Sequence, residues 1–465
     1  MMIENRGIEK KFDWKLYPQT EDFLFQQIGI FLENNQFASS LSSRIEQETS
    51  TRFFDWIDHI VLPHTVISKK TLEGFGYREA GYNNTKSSED IKVFFHQGAI
   101  FFPVLITEKI CTEIALKPER LDHFIQTFGK GITIHGTLYG PYRKAIISPQ
   151  NDYILSAVER RGYRGFLIPE KNDDVQEYRQ ALELFLCRRR FFKDSAAGLD
   201  AMQKLVENIC TCLPVERTAD AFLRAERMYW ERKNWAGQIQ KARQDRLGLG
   251  WGNHDHHTYR TSRKNFSRLI QVFETLGFVC REQFFAGEEA GWGAQVMEHP
   301  HNNAVLFADV DLLKEEKGRD FSHTELSPLP HHGTVGLWVE LHGESILQSG
   351  LHHLAVRFDF EKLRTDLKKL NITMMNPFSY FEFLKQAFSE AELWNVGQER
   401  LHELFEKNSI TKAQYEAFLK NGMKGIIGSH LENIQRNQGF KGFNQRSVSA
   451  IIKATDPRKY KVRGA

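Results

Sequence analysis

Two short segments carry the same pair of chemically useful side chains at the same spacing. His254-Asp255-His256-His257-Thr258-Tyr259-Arg260 and Leu351-His352-His353-Leu354-Ala355-Val356-Arg357 each set a histidine four residues before an arginine. Both read as short strands. Side chains alternate across a strand, so His256, Thr258 and Arg260 share one face, as do His353, Ala355 and Arg357. His254 falls on the face of His256, at the strand's start, whereas His257 and His352 point the other way. Each His–Arg pair spans roughly 13 Å of backbone. That spacing suits a metal at one end and an anionic group of a substrate at the other. Imidazole nitrogens are common ligands for divalent metals, and a guanidinium can grip a carboxylate with a two-pronged fork that lysine lacks. Arg260 and Arg357 are therefore the candidate substrate-binding residues, and His256 and His353 the candidate metal ligands. The bland reading of any one of these histidines is a hydrogen-bonded structural residue, and it is the repetition that favours the ligand reading.

Two imidazoles and one carboxylate would form a facial triad with open positions, a set that suits Fe(II) and also serves Mn, Zn or Ni. Glu340 is the first choice for the carboxylate, on the strand-like run Val335–His342. Glu298, in Val296-Met297-Glu298-His299, is the second.

The pattern extends to a third copy. Asp58-His59 opens a similar strand, and all three copies lead through a helix-length stretch to a Leu-Gly-Phe-like end: Phe75-Gly76-Tyr77, Leu276-Gly277-Phe278 and Leu370-Asn371-Ile372. Strand, helix and further strand are the opening of a β-α-β-β-β module. The first copy has Pro63 where the others have arginine, and its presumed partner strand around Thr112–Leu116 carries no histidine. It reads as a degenerate, structural copy.

This opening resembles the modules of the vicinal oxygen chelate superfamily, which includes glyoxalases and ring-cleaving dioxygenases. Asp255-His256-x-x-x-Arg260-Thr261 is similar to a signature of the 2-oxoadipate dioxygenase/decarboxylase family, and Leu337–Leu341 looks like a later strand of the same module. The likeness covers residues 250–375. It implies an α+β fold in which modules pair into cupped sheets around one divalent metal. It also implies a non-haem Fe(II) dioxygenase and decarboxylase that takes a 2-oxo acid and O2, converting 2-oxoadipate to 2-hydroxyglutarate. The family's usual third ligand is a glutamate on a late strand of the final module. The late-strand candidate here, Ser447–Ile452, has no glutamate, so Glu432 joins Glu340 and Glu298 as a third choice. An oxygen-independent isomerase or hydrolase of glyoxalase type, or a non-catalytic small-ligand binder, would use the same scaffold.

The elements that must position these residues fall into four stretches. Residues 1–50 read as amphipathic helix and 51–170 as a strand-rich region, with strand candidates Ile57–Leu62, Ile91–Ile106, Cys111–Leu116, Ile132–Tyr139 and Gly165–Ile168. Residues 171–249 are a charged helical connector. Residues 250–465 form the metal-binding domain, with a helical insertion at 376–428. The length of 465 residues fits two or more domains. A net charge of +3 does not favour nucleic acid. No apolar run is long enough for a membrane span, and no signal peptide is visible at the N-terminus. Five cysteines in no pairing pattern fit a reducing cytoplasm. His299/His301 and His331/His332 suit loops. Gly248–Gly252 lacks the following helix that a phosphate loop needs, and Phe440–Arg446 reads as an ordinary loop.

Overall fold

The computed structural model describes residues 15–80, 91–128, 131–170, 174–420 and 426–442. Four modules follow one another along the chain. The first holds β1 (Ile57–Pro63), the helix Lys69–Gly74, β2 (Tyr77–Glu79), β3 (Lys92–His96) and β4 (Val104–Thr107). The second holds β5 (Thr112–Leu116), the helix Leu121–Phe128, β6 (Tyr142–Gln150) and β7 (Tyr153–Arg160). The third holds β8 (His254–Arg260), the helix Phe266–Thr275, β9 (Val279–Phe285), β10 (Trp292–His299) and β11 (Ala304–Asp311). The fourth holds β12 (His353–Arg357), the helix Phe360–Lys369, β13 (Ser379–Phe381), β14 (Leu384–Phe388) and, after the small pair β15 (Leu393–Trp394) and β16 (Ile426–Ile427), β17 (His430–Arg436).

Each half joins two modules through their first strands. Among the described residues, one sheet has the order β2-β3-β4-β1-β5-β7-β6 and the other β13-β14-β17-β12-β8-β11-β10-β9. The central pairs β1–β5 and β8–β12 are antiparallel. Each central strand is flanked on its other side by the last strand of its own module, in parallel. The protein is thus α+β, built from paired modules in cupped sheets of the vicinal oxygen chelate type.

The central strands β1, β8 and β12 are buried almost throughout on both faces, their polar side chains included. On β8, Tyr259 faces the helical side and packs against Phe222 and Phe273, while His256, Thr258 and Arg260 face the cup. The helices Val175–Cys187, Ser195–Cys210, Val215–Glu231 and Trp235–Asp245 form the connector. In Val215–Glu231, Thr218, Ala221, Phe222 and Ala225 recur at helical spacing and are buried in the core behind the second sheet. The helices Pro18–Asn34 and Gln36–Thr49 cover the first sheet in the same way, through Leu24, Phe31, Leu41 and Ile45.

Gly248 and Gly250 adopt positive φ in the link into β8, and side chains there would strike Phe124 and Glu119. Gly252 lies against the Lys117 carbonyl. The glycine-rich stretch lets the two halves approach closely. No described helix is long and apolar enough to cross a membrane.

Four expectations from sequence are corrected here. The run Val335–His342 is not a strand but the helix Thr334–His342. The Asp311 carboxylate caps it, accepting the N–H groups of Gly333, Val335 and Gly336 at 2.7–2.9 Å. Second, the segment 376–428 is not helical throughout: β13 and β14 complete the second half's sheet, and among its described residues helices occupy Gln398–Glu406 and Lys412–Lys420. Third, Ile91–Ile106 divides into β3 and β4. Fourth, Ile132–Tyr139 and Gly165–Ile168 lie outside the strands, whose places are taken by β6 and β7. The candidate strand Ser447–Ile452 lies outside the described residues.

Candidate metal centre

Three ligand atoms converge in the cup of the second sheet. His256 Nε2 and His353 Nε2 each lie 3.1 Å from Glu432 Oε2 and 3.4 Å from each other. All three residues are buried. Register explains the convergence. Ala355 on β12 pairs with His256 on one side and with Glu432 of β17 on the other, and His353 sits two residues from Ala355 on the same face. Three donors at these separations can all lie about 2.1 Å from one point, with angles of roughly 95–108° there. That is the spacing of a facial set of ligands. The donor atoms present therefore fit a divalent metal.

A β-bulge arms this site. The register between β8 and β12 skips Asp255, since Ala355 pairs with His256 and Val356 with His254. The skipped residue turns to the cup beside its neighbour. Asp255 Oδ2 then lies 3.0 Å from His256 Nδ1, and Asp255 is itself held by Arg357 at 3.1 Å and Arg436 at 3.3 Å. With its Nδ1 hydrogen donated to Asp255, His256 turns Nε2 to the ligand point, where a metal would take the place of a proton. Gln386 donates to Glu432 Oε1 at 2.8 Å and fixes the carboxylate's orientation. Thr258 Oγ1 lies 2.7 Å from His353 Nε2.

The electrostatics show what the cluster lacks. Burial opposes protonation of His256, but Glu432 and Asp255 outweigh it and push the imidazole up to about 9. Burial dominates at His353 and lowers it. Burial also works against the Glu432 carboxylate, yet the two imidazoles hold it well below the usual range. The site is built to hold positive charge.

The triad borders a cavity of about 70 Å³. Phe284, Trp292, Phe307, Phe378 and Phe388 form its apolar walls, and Arg260 and Asp309 mark its polar end. Arg260 Nε stands 3.9 Å from Asp309 Oδ2, and its guanidinium lies 5.4 Å from the centre of the Trp338 ring. Burial pushes the Asp309 carboxyl up to about 7, against the pull of Arg260.

Of the residues singled out from sequence, His256, His353, Arg260 and Glu432 come together. Glu340 does not. It lies on the helix Thr334–His342, its carbonyl accepts from Arg400, and it faces a separate polar cleft. Glu298 pairs with Arg281 and Lys441. Arg357 braces Asp255 and does not line the cavity. The bulge turns His254 away from His256, and its ring lies 5.5 Å from that of His257. His299 ends β10, and its Nδ1 accepts the N–H groups of His301 and Asn302 in the turn that follows. Asp309, Gln386, Arg436 and the bracing role of Asp255 are additions from the structure. The spacing Glu432-x-x-x-Arg436 echoes the two His-x-x-x-Arg pairs and was the signal in the sequence for the third strand of the site.

No protein-family model matches the chain, and no curated protein matches it. Solved structures that resemble it include a mutant of 4-hydroxymandelate synthase from Streptomyces coelicolor, 10% identical over 87% of this chain and 98% of its own, with a TM-score of 0.27. A hydrolase candidate from Shewanella frigidimarina is 15% identical over 53% of this chain and 94% of its own, with a TM-score of 0.30. Methylmalonyl-CoA epimerase from Mycobacterium tuberculosis is 10% identical over 40% and 88%, with a TM-score of 0.22. Likenesses at this level assign no activity to the chain.

Proposed function

We propose that the second half of the chain is a non-haem Fe(II) oxygenase and decarboxylase that acts on a 2-oxo acid, of the type that converts 2-oxoadipate to 2-hydroxyglutarate. The observation that carries the reading is the buried meeting of His256, His353 and Glu432 beside Arg260. When bound, Fe(II) would supply the centre at which a 2-oxo acid chelates and dioxygen is activated. The reaction consumes one O2 and releases one CO2, and the products keep both oxygen atoms.

The protein's own groups have separate tasks. Arg260 binds a substrate carboxylate through its guanidinium N–H groups. Asp309, raised by burial to about 7, is about half protonated at neutral pH and in that form offers an O–H to a substrate oxygen. The aromatic walls exclude water, which strengthens both polar contacts. Asp255 and Gln386 orient His256 and Glu432.

A second reading has one observation in its favour. A carboxyl near 7, such as Asp309, is matched to proton transfer, which an oxygen-independent isomerase or hydrolase would use. Oxygen uptake by the Fe(II)-loaded protein, measured with a panel of 2-oxo acids, separates the two. Uptake with equal CO2 release supports the oxygenase; metal firmly held with no uptake on any 2-oxo acid sinks it.

A further inference from the structure

The first half of the chain repeats the frame of the metal centre residue by residue. Asp58 is bulged out of the β1–β5 register as Asp255 is from β8–β12: Ile57 pairs with Leu116, and His59 with Ala115. Asp58 Oδ2 lies 2.7 Å from His59 Nδ1. An arginine on the last strand of the paired module grips each aspartate, Arg160 at 2.8 Å in the first half and Arg436 in the second. His59 thus stands where His256 stands.

The other positions follow from the pairing. Val61 pairs with Glu113 as Thr258 pairs with His353, so Glu113 takes the place of His353. Ala115 pairs with Ser156 as Ala355 pairs with Glu432, so Ser156 takes the place of the carboxylate ligand. Val158 pairs with Lys144 as Ile434 pairs with Gln386. Lys144 Nζ and Ser156 Oγ both lie 2.5 Å from Glu113 Oε1. Phe166 packs edge-on against the His59 ring at 4.9 Å.

We propose that the first half holds a second divalent-cation site, framed by His59, Glu113 and the Ser156 position, whose cation has been replaced by the chain's own Lys144 ammonium. The inference rests on reading His256, His353 and Glu432 as metal ligands. The charges support it. The second half sets one carboxylate and two imidazoles around its site. In the first half the Lys144 ammonium and the Ser156 hydroxyl both meet the Glu113 carboxylate, and the Glu113–Lys144 pair is neutral as it stands. Burial works against the Glu113 carboxylate, yet Lys144, His59 and Ser156 keep it below its ordinary value. One imidazole and two carboxylates would suit Mn(II), Fe(II) or Zn(II).

The test removes the internal cation and restores the missing carboxylate, with K144Q/S156E in the full chain and Mn(II) alone as the probe. Metal content is counted after equilibration, both in the otherwise native protein and in an E432A background. The background separates this site from the proposed centre: the expected gain is one Mn(II) per chain in each, and adding H59A removes it. A folded K144Q/S156E protein with no gain, or a gain that survives H59A, overturns the proposal. If K144Q/S156E does not fold, a thermal-unfolding cycle decides. K144Q should lower the melting temperature and E113Q/K144Q should recover most of the loss. Additive losses from E113Q and K144Q would overturn the proposal.

Discussion

Metal binding should expel one proton per chain, and the count can be worked from the site. In the metal-free protein His256 titrates at about 9 because Glu432 and Asp255 press on it harder than burial does. At pH 7.5 that imidazole is roughly 97% protonated, 1.5 units below its midpoint. His353 is lowered by burial and Glu432 is ionised, so neither has a proton to lose. A metal taking His256 Nε2 must displace the proton there. The competition weakens apparent affinity by roughly thirtyfold at pH 7.5, or about 2 kcal/mol, relative to pH above 9. Affinity should therefore climb about tenfold per pH unit from 6.5 to 8.5 and then level off. Calorimetric titration with Mn(II) in two buffers of different ionisation enthalpy reads the proton count, and a pH series reads the slope. Release of no proton, or of two, would refute the assignment of charge to these residues, as would an affinity flat across that range.

The same shift has a stability counterpart. A histidine raised from 6.5 to about 9 stabilises the metal-free fold fully below pH 6.5, and the contribution is lost as pH rises through 9. Thermal unfolding of the metal-free protein should show this decline, and Glu432→Gln should flatten it. Glu432→Gln should also weaken Mn(II) binding at least a hundredfold, whereas Glu340→Gln leaves it within twofold of native; equal effects by calorimetry would contradict the geometry. Asp255→Asn, which replaces the charged acceptor that fixes the His256 tautomer with a neutral amide able to present its NH2 instead, should cost 10–100-fold in metal affinity without altering the far-UV dichroism. Arg260→Lys should raise KM for a 2-oxo acid at least tenfold with a smaller change in kcat, because the lost fork acts on the substrate carboxylate; an unchanged KM would remove Arg260 from the binding role.

Sequence pattern goes far where a strand repeats its own chemistry. The doubled His-x-x-x-Arg motif located the central strands β8 and β12, and the Leu-Gly-Phe-like endings marked where the helix of each of those modules stops. The second module escaped notice because β5 opens with Thr112-Glu113 and carries no histidine. Its kinship lies in strand register, which no local motif records. The choice of Glu340 failed for a related reason. Val335–His342 is apolar almost throughout, and a short run of that kind does not distinguish a strand from a buried helix. What settles it is Asp311, twenty-two residues earlier in the chain than Gly333, whose carboxylate finds the helix N-terminus only after folding. Likewise, strict alternation placed His254 beside His256, and a single bulged residue reversed that. Arg357 was read as facing a substrate because its own strand says so; the aspartate it meets belongs to another strand.

The metal ligands come from three strands that pair only when both modules of the second half are in place, and the two histidines alone are 97 residues apart. A growing or unfolded chain has no such site. A metal held here would have to arrive after the half has closed, or be caught as it closes. Since the triad is buried under aromatic walls, whatever ion is present at that moment would leave slowly. The identity of the metal in protein taken from cells is then a record of supply during biosynthesis as much as of the ligands' preference, and refolding in a chosen metal is the way to rewrite it.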